Sequence, residues 1–475
     1  MILYKNPVML SILSGALLTL SWPVQGLSFL IFFSLIPLFF VEDQMSRNNL
    51  KQKKLRLFAL NYLGFFIWNL GTTWWIVNSS VFGMAFAILC NTLFYTLLMM
   101  LFHWSKRRLP LRTAYIFLVT LWIAFEKFHL EWDFSWPWLN LGNVFSEDVQ
   151  WIQWYEFTGS FGGSLWILTI NIGLYEVLKN YPVSLKNTVW VKKMSPWLIC
   201  IAIPIVISLI LFERENNLIP NTEVLLLQPN IDPYNEKYSK ENDYYFDLLI
   251  NMTTDQITDE TRYIFTPETY FGEGFGSSLE EFKTTNLHCK IDSLLEKNRK
   301  IQLVSGIQSY SVYRTDKPPT PTANFVRNGI WVDFYNSALK MEFQQEPEFY
   351  HKSKLVVGVE NMPYKSFFKP LFGEFLLDLG GTVSSRAIQN NRSVFEHKKI
   401  NLKTGPVICY ESIYGEFVTE YVRKGAQFLG IITNDAWWGN TAGHKQLLSY
   451  ARLRAIENRR SIVRSANTGI SAVIN

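Results

Sequence analysis

A chain of 475 residues with 16% aromatic and 18% charged residues is long enough for two or three cores and poorer in charge than most soluble proteins. Its net charge of +5 comes without a Lys/Arg run interleaved with aromatics, which argues against nucleic-acid binding. Four cysteines with no Cys-x-x-Cys pair and six histidines with no His-Glu-x-x-His pair give no support to a structural zinc site.

Charge is sparse up to about position 212 and dense beyond it. A helix needs about 20 mostly apolar residues to cross a bilayer, and such runs occupy 7–22, 24–41, 58–77, 80–103, 113–129, 163–180 and 196–213. Seven spans are therefore expected, in a membrane domain over 1–215. The first is not a cleavable leader, because it lacks a small-residue cleavage site and a second apolar run follows at once. The connections near 5, 47–56, 106–112 and 179–193 carry fourteen Lys and Arg, whereas those at 22–25, 76–81 and 127–163 carry only Lys127. Cations stay in the cytoplasm, so the N-terminus is expected inside and everything after the seventh span outside. Trp132, Trp136, Trp138, Trp151 and Trp154 crowd a stretch without Lys or Arg other than Lys127 at its edge. That stretch reads either as a loop lying in the outer headgroup layer, a vestibule for the outer domain, or as an aromatic belt anchoring its neighbours. Asn61, Asn91 and Glu126 within the spans are expected to hydrogen-bond between helices.

From 222 to 475 the texture is that of an α/β domain. Short apolar runs at 224–227, 263–265, 301–304, 407–408 and 428–432 alternate with polar helical stretches near 240–256, 279–298, 412–424 and 444–459. Fully apolar strands between helices imply sheets covered by helices, and the interval 309–350 reads as loops and hairpins. The sequence holds no Gly-x-Gly-x-x-Gly, P-loop or Gly-x-Ser-x-Gly pattern, so nucleotide chemistry and a serine-hydrolase elbow are unsupported.

Glu268 after Thr266-Pro267 and Cys409 after Val407-Ile408 end apolar runs, and Lys352 lies at an element end within Tyr350-His351-Lys352-Ser353-Lys354. A thiol where a strand meets a helix gains from the positive helix end. A carboxylate whose pKa burial raises can take the thiol proton, and a fixed ammonium can stabilise the oxyanion of an acyl-transfer intermediate. Spacing alone leaves two alternatives open: structural roles for each residue, and a Cys289–Cys409 disulfide in an oxidising compartment.

The order Glu, Lys, Cys resembles the carbon–nitrogen hydrolase (nitrilase) superfamily. With the preceding spans the chain is similar to the apolipoprotein N-acyltransferase family of Gram-negative bacteria. The motifs that carry the resemblance are Gln228-Pro229-Asn230-Ile231, Pro267-Glu268, the stretch 350–363 ending Glu360-Asn361-Met362-Pro363, Cys409-Tyr410-Glu411, Thr433-Asn434-Asp435-Ala436-Trp437-Trp438-Gly439, Ala451-Arg452-Leu453-Arg454-Ala455-Ile456-Glu457 and Arg464–Ser471. The resemblance implies a polytopic α-helical membrane domain followed by a nitrilase-like α-β-β-α sandwich. It implies Glu268 as base, Lys352 (rather than Lys354) as oxyanion stabiliser, and Cys409 as nucleophile. Glu360 would be a second carboxylate beside them, and Tyr410, Glu411, Tyr238 and Trp437 would support the substrate. Tyr238 stands where the family has Trp, and Leu355-Val356-Val357-Gly358-Val359-Glu360 departs from the family's Leu-Val-Pro-Phe-Gly-Glu. The implied reaction moves an acyl chain from a phospholipid, phosphatidylethanolamine, through a thioester to the amine of a diacylated apolipoprotein. It uses no cofactor and no metal, and takes place on the periplasmic side of the inner membrane in a monomer in contact with membrane lipids. Further strands and an eighth span are expected beyond Asn475. The rival readings are a tethered amidase or nitrilase acting on a small C–N substrate, which would release ammonia, and a non-catalytic membrane scaffold.

Overall fold

The computed structural model describes residues 6–24, 26–47, 52–181, 188–215, 222–237, 239–361, 364 and 386–475. The chain forms two compact units, Met1–Asn217 and Leu218–Asn475.

The first unit is helical: α1 (Pro7–Ser21), α2 (Ile36–Arg47), α3 (Lys53–Thr73), α4 (Val81–Lys106), α5 (Leu111–Phe128), α6 (Tyr155–Asn180) and α7 (Thr188–Glu215). Among the described residues four segments, Ser28–Arg47, Val81–Lys106, Tyr155–Asn180 and Thr188–Glu213, are long and apolar enough to cross a membrane. The first of these opens as a 3-10 turn, Ser28–Phe33. Asn171 bridges the join to α2, accepting from Leu35 N at 2.9 Å and donating to Ile31 O at 2.9 Å. Small residues set the approach of α1 to α3: a Cβ on Gly15 would lie 2.5 Å from Gly64 O, and close backbone approach of this kind is how helices associate where burial in lipid gains nothing. Along α7, Leu198, Ile199, Ile203, Val206, Ile207 and Ile210 are exposed, as expected of a helix that meets acyl chains.

Of the five tryptophans of the Trp-rich stretch, Trp138 is buried and Trp132, Trp136, Trp151 and Trp154 are half-buried. The stretch folds into 3-10 turns at Pro137–Leu139 and Leu141–Glu147, and Trp138, Leu139, Leu141 and Phe145 are buried. Tyr95 Oη donates to Leu139 O at 3.1 Å and Gly142 N donates to Ser164 Oγ at 3.0 Å. Irregular backbone at such depth needs protein partners for its polar groups, which draws it into the unit. Asn91 and Glu126 join separate elements: Asn91 Oδ1 lies 2.7 Å from His129 Nε2, and Glu126 accepts from Leu141 N at 2.8 Å and Ser164 Oγ at 2.6 Å. Asn61 instead donates within its own helix, to Leu57 O at 3.0 Å.

The second unit has two sheets. One runs β1 (Glu223–Leu226), β2 (Thr261–Phe265), β4 (Gln302–Arg314), β6 (Ile330–Met341), β5 (Asn324–Arg327), with β3 (Ser277–Ser278) on β4 and β7 (Glu348–His351) on β6. The other runs β12 (Ala472–Ile474), β11 (Ile462–Ala466), β10 (Phe428–Thr433), β9 (Leu402–Ile408), β8 (Phe395–His397). Strands β1, β2 and β4 are parallel, as are β9, β10 and β11. The interval expected as loops and hairpins is mostly one long antiparallel ladder, Leu303 to Arg314 against Ile330 to Met341. The hairpin reading was right in kind. The strands run longer because Ser305, Ser309, Asp333, Asn336 and Ser337, polar enough to suggest loop, are buried.

The sheets stack face to face through Tyr263, Phe265 and Phe428, with the Tyr263 and Phe428 rings 5.1 Å apart, and Ser465 Oγ donates across to Leu227 O at 2.7 Å. Helices α8 (Asn242–Thr253) and α9 (Asn286–Lys297) cover the first sheet, joining Tyr245, Leu249, Ile291 and Leu295 to Ile264, Leu303, Ile307 and Leu339. Helix α10 (Gly415–Arg423) lies on β9 through Tyr421, and α11 (Ala442–Asn458) follows β10. The result is an α-β-β-α sandwich.

Candidate active site

Parallel strands deliver their following residues to one end of a sheet, and here that end gathers the reactive groups from both sheets. Glu268 follows β2, Lys352 follows β7 and Cys409 follows β9. Glu268 is fixed by its turn. Thr269 adopts φ +48, and Gly306 sits so close that a Cβ there would meet Pro267 O at 2.2 Å and Thr269 N at 2.4 Å. Lys352 N donates to Asn336 O at 2.8 Å, continuing the β6–β7 ladder to the site.

The side chains converge. Lys352 Nζ lies 2.9 Å from Glu268 Oε1 and 2.8 Å from Glu360 Oε2. Asn336 Nδ2 donates to both carboxylates, at 2.8 Å to Glu268 Oε1 and 3.0 Å to Glu360 Oε1. Asn434 N donates to Glu268 Oε2 at 3.2 Å, and Val356 N to Glu360 Oε2 at 3.0 Å. Thus Glu360 reaches the lysine despite the altered stretch before it. Burial opposes the Lys352 charge, but Glu268 and Glu360 outweigh it and hold the ammonium above its usual range. Burial likewise opposes the Glu360 charge, yet Lys352 and Arg386 bring that carboxyl down to about 2. Lys352 is therefore a permanent cation and Glu360 a permanent anion.

Cys409 is 6% exposed and adopts φ +50, a conformation that costs a non-glycine residue about 1–3 kcal/mol and clusters at functional sites. The expected helix does not start there. Cys409–Ile413 is a single 3-10 turn, and α10 begins at Gly415. The thiol accordingly gains little from a helix end. Burial first, then Glu268, pushes it up to about 12, with Lys352 and the Thr433 hydroxyl pulling the other way. Such a thiol needs a proton acceptor beside it to become a nucleophile. It forms no disulfide: Cys409 and Cys289 are both free.

Glu411 is fully buried, and its carboxylate is taken up by the protein itself. It accepts from Ile408 N at 2.8 Å, Ser353 N at 2.6 Å and Tyr350 Oη at 2.8 Å. It therefore ties the cysteine strand to the lysine segment instead of standing open to a substrate. Tyr410 is buried edge-on to Tyr414, ring centroids 5.4 Å apart. Trp437, half-buried in the turn Asp435–Trp438, packs edge-on to Tyr234 at 5.3 Å. Tyr238, Met362 and Pro363 lie outside the described residues.

Asn336 and Lys237 escaped the sequence reading, and Asp435, Arg464 and Asn467 entered it only as motif positions without a role. For Asn336, an Asn within a strand run is itself a signal, since strands are depleted in it. Lys237, 4% exposed, donates from Nζ to Glu268 O at 3.2 Å. Asp435 and Arg464 form a buried pair at 2.8 Å beneath the end of β10, and Asn467 clamps the β1 loop by accepting from Ile231 N at 2.9 Å and donating to Ile231 O at 2.7 Å. Among the described residues no cluster of His, Cys, Asp and Glu is arranged to hold a metal ion. A cleft of about 800 Å³, lined in part by Phe275, Tyr310, Val332 and Phe334, has none of Glu268, Asn336, Lys352, Glu360 and Cys409 in its wall.

Comparison with known proteins matches residues 14–173 to the apolipoprotein N-acyltransferase N-terminal domain and residues 323–475 to the carbon–nitrogen hydrolase family. The apolipoprotein N-acyltransferase of Chlorobaculum tepidum is 28% identical over 99% of this chain and 86% of its own length. That of Rickettsia prowazekii is 24% identical over 85% of this chain and 73% of its own. A nitrilase-superfamily structure from Saccharomyces cerevisiae aligns with 54% of this chain and 82% of its own, at 15% identity and a TM-score of 0.35.

Proposed function

Since the chain belongs to the apolipoprotein N-acyltransferase family, we propose that Cys409 carries a fatty acyl group, as a thioester, from a phospholipid to the N-terminal amine of a diacylated apolipoprotein. The observation that supports this most directly is the shared lysine: Lys352 Nζ within 2.9 Å of both Glu268 and Glu360, at the turn where β9 ends in a strained, buried cysteine.

In the first half-reaction Glu268 takes the thiol proton and the Cys409 sulfur attacks the ester carbonyl. Negative charge develops on the carbonyl oxygen, where the permanent Lys352 cation lowers its energy. The ester C–O bond breaks, Glu268 returns the proton to the departing lysophospholipid, and a thioester remains. In the second half-reaction the acceptor amine attacks that thioester. Glu268 accepts the amine proton, the C–S bond breaks, and the proton passes to the released sulfur, leaving an amide. Glu360 never changes charge; it pairs with Lys352 so that the lysine is not neutralised by Glu268 alone. Phosphatidylethanolamine is the proposed donor. The enzyme acts as a monomer in the inner membrane with the α/β unit on the periplasmic side, a placement the fourteen-to-one cation asymmetry supports. Both substrates are lipid-anchored, so a membrane-bound enzyme meets them by lateral diffusion.

The test is intact-mass analysis of the purified protein incubated with labelled phosphatidylethanolamine. A hydroxylamine-sensitive acyl adduct is expected on Cys409 and absent from Cys409→Ser. Adduct persisting in that variant, or ammonia release from small amides without transfer to a lipopeptide amine, overturns the reading.

A further inference from the structure

Beside Glu268, at its main-chain carbonyl rather than its carboxylate, stands a second buried ammonium that the mechanism above does not use. Lys237 closes the turn after Asp232: its N donates to Asp232 O at 3.0 Å, and Tyr245 Oη donates to Lys237 O at 2.7 Å. Its backbone is thus fixed from both ends and its side chain runs inward, 4% exposed. Nζ donates to the main-chain carbonyl of Glu268 at 3.2 Å. With Ile231, Pro267, Thr269, Tyr270 and Asn467 it lines a small gap of about 10 Å³ beside that residue, at the lower limit of what one water needs. Burying an ammonium is costly, and a methionine or leucine would fill such a place without the penalty. The carbonyl it holds belongs to the strained Glu268–Thr269 turn, with Thr269 at φ +48.

We propose that Lys237 is a positioning residue of this site: it pins the Glu268 turn through the main chain and adds a second positive charge toward which the thiol proton and the oxyanion charge are balanced. This rests on the acyl-transfer reading for its purpose, but not for its detection. The ionisable groups around its ammonium are Glu268, Cys409, Arg386 and Lys352, and the phenols nearby are Tyr245 and Tyr270. Burial, with Arg386 and Lys352, lowers Lys237 to about 8 against the opposing pull of Glu268 and Cys409. Its ammonium is therefore half titrated near pH 8, charged below and progressively neutral above. A cation that acts on the thiol alters the thiolate fraction about tenfold for each pKa unit.

The experiment uses the full chain in detergent and follows two rates by peptide-resolved mass spectrometry. One is alkylation of Cys409 by iodoacetamide across pH 6–9.5; the other is acyl-adduct formation from phosphatidylethanolamine. K237M is expected to slow alkylation at pH 7.5 about tenfold or more, and to slow adduct formation with little change in its dependence on phospholipid concentration. The wild-type alkylation profile should rise less steeply once pH passes about 8. K237M and K237Q, which carry no charge, should lack that break, and K237Q, which keeps a donor, separates the hydrogen bond from the charge. Equal Cys409 reactivity in wild type and K237M, or a wild-type profile with no break near pH 8, overturns the proposal even if neither variant folds well. If wild type never forms the acyl adduct while alkylation still depends on Lys237, the acyl-transfer reading fails and the positioning role stands.

Discussion

Both units of this protein bury carboxylates, and they do so in different ways. In the helical unit Glu126 accepts from Leu141 N, Ser164 Oγ and Trp122 Nε1, and Glu42 pairs with His103 and Lys106. The donors to each carboxylate there come from its own and neighbouring elements, and no thiol is among them. In the α/β unit Glu268 and Glu360 share one lysine and one amide, and a thiol lies within their field. Buried charge alone is therefore not a sign of chemistry here. What separates the two regions is charge that converges on a nucleophile, together with backbone held at positive φ at Thr269 and Cys409.

The comparison can be broken at its strongest point first. Glu268→Gln keeps the shape and removes the proton acceptor, so the rate of acyl-adduct formation, read by intact mass, should fall about 10²–10⁴-fold. Adduct formation at the wild-type rate would show that the convergence does not matter.

Glu411 sharpens it next, because it is buried charge that sits in the α/β unit yet serves structure. Burial raises its carboxyl to about 7 from an ordinary value near 4.5, against the hydrogen bonds from Ile408 N, Ser353 N and Tyr350. The folded form then holds a proton that the unfolded chain has already lost between those values. Stability from this group is thus full below about pH 4.5 and declines as pH rises through 7, by about 3 kcal/mol at 1.36 kcal/mol per unit. Thermal melts of wild type and Glu411→Gln across pH 4–8 should show the wild-type slope flattened in the variant.

The smallest effect on activity is expected in the helical unit. Glu126→Gln should lower the melting temperature, since an unpaired buried donor costs about 1–3 kcal/mol. Adduct formation per folded molecule should stay within about twofold, as for a substitution that shares no partner with the reacting groups. A large drop in that rate with an unchanged melting temperature would erase the distinction between the two regions.

The linear sequence by itself decided a good deal. Hydropathy marked the apolar half from the α/β half, because lipid and a water-facing sandwich demand different side chains over long runs. It also placed Glu268 and Cys409 at strand ends, since apolar runs of that length stop where the sheet stops, whereas the stretch leading to Lys352 reads as loops and hairpins. Three things were decided only in three dimensions. The long β4–β6 ladder is studded with polar residues that become acceptable only when paired across it, such as Ser309 Oγ with Ser337 Oγ at 2.7 Å. Asn336 meets Glu268 across 68 residues of chain and Lys237 meets it across 31, so no local pattern shows which partner either one meets. The thiol at 409 was expected to be acidified by a helix, yet a 3-10 turn and deep burial set it near 12. A pKa is fixed by what surrounds a group once the chain has closed over it, and the residues adjacent in sequence are only a small part of that surrounding.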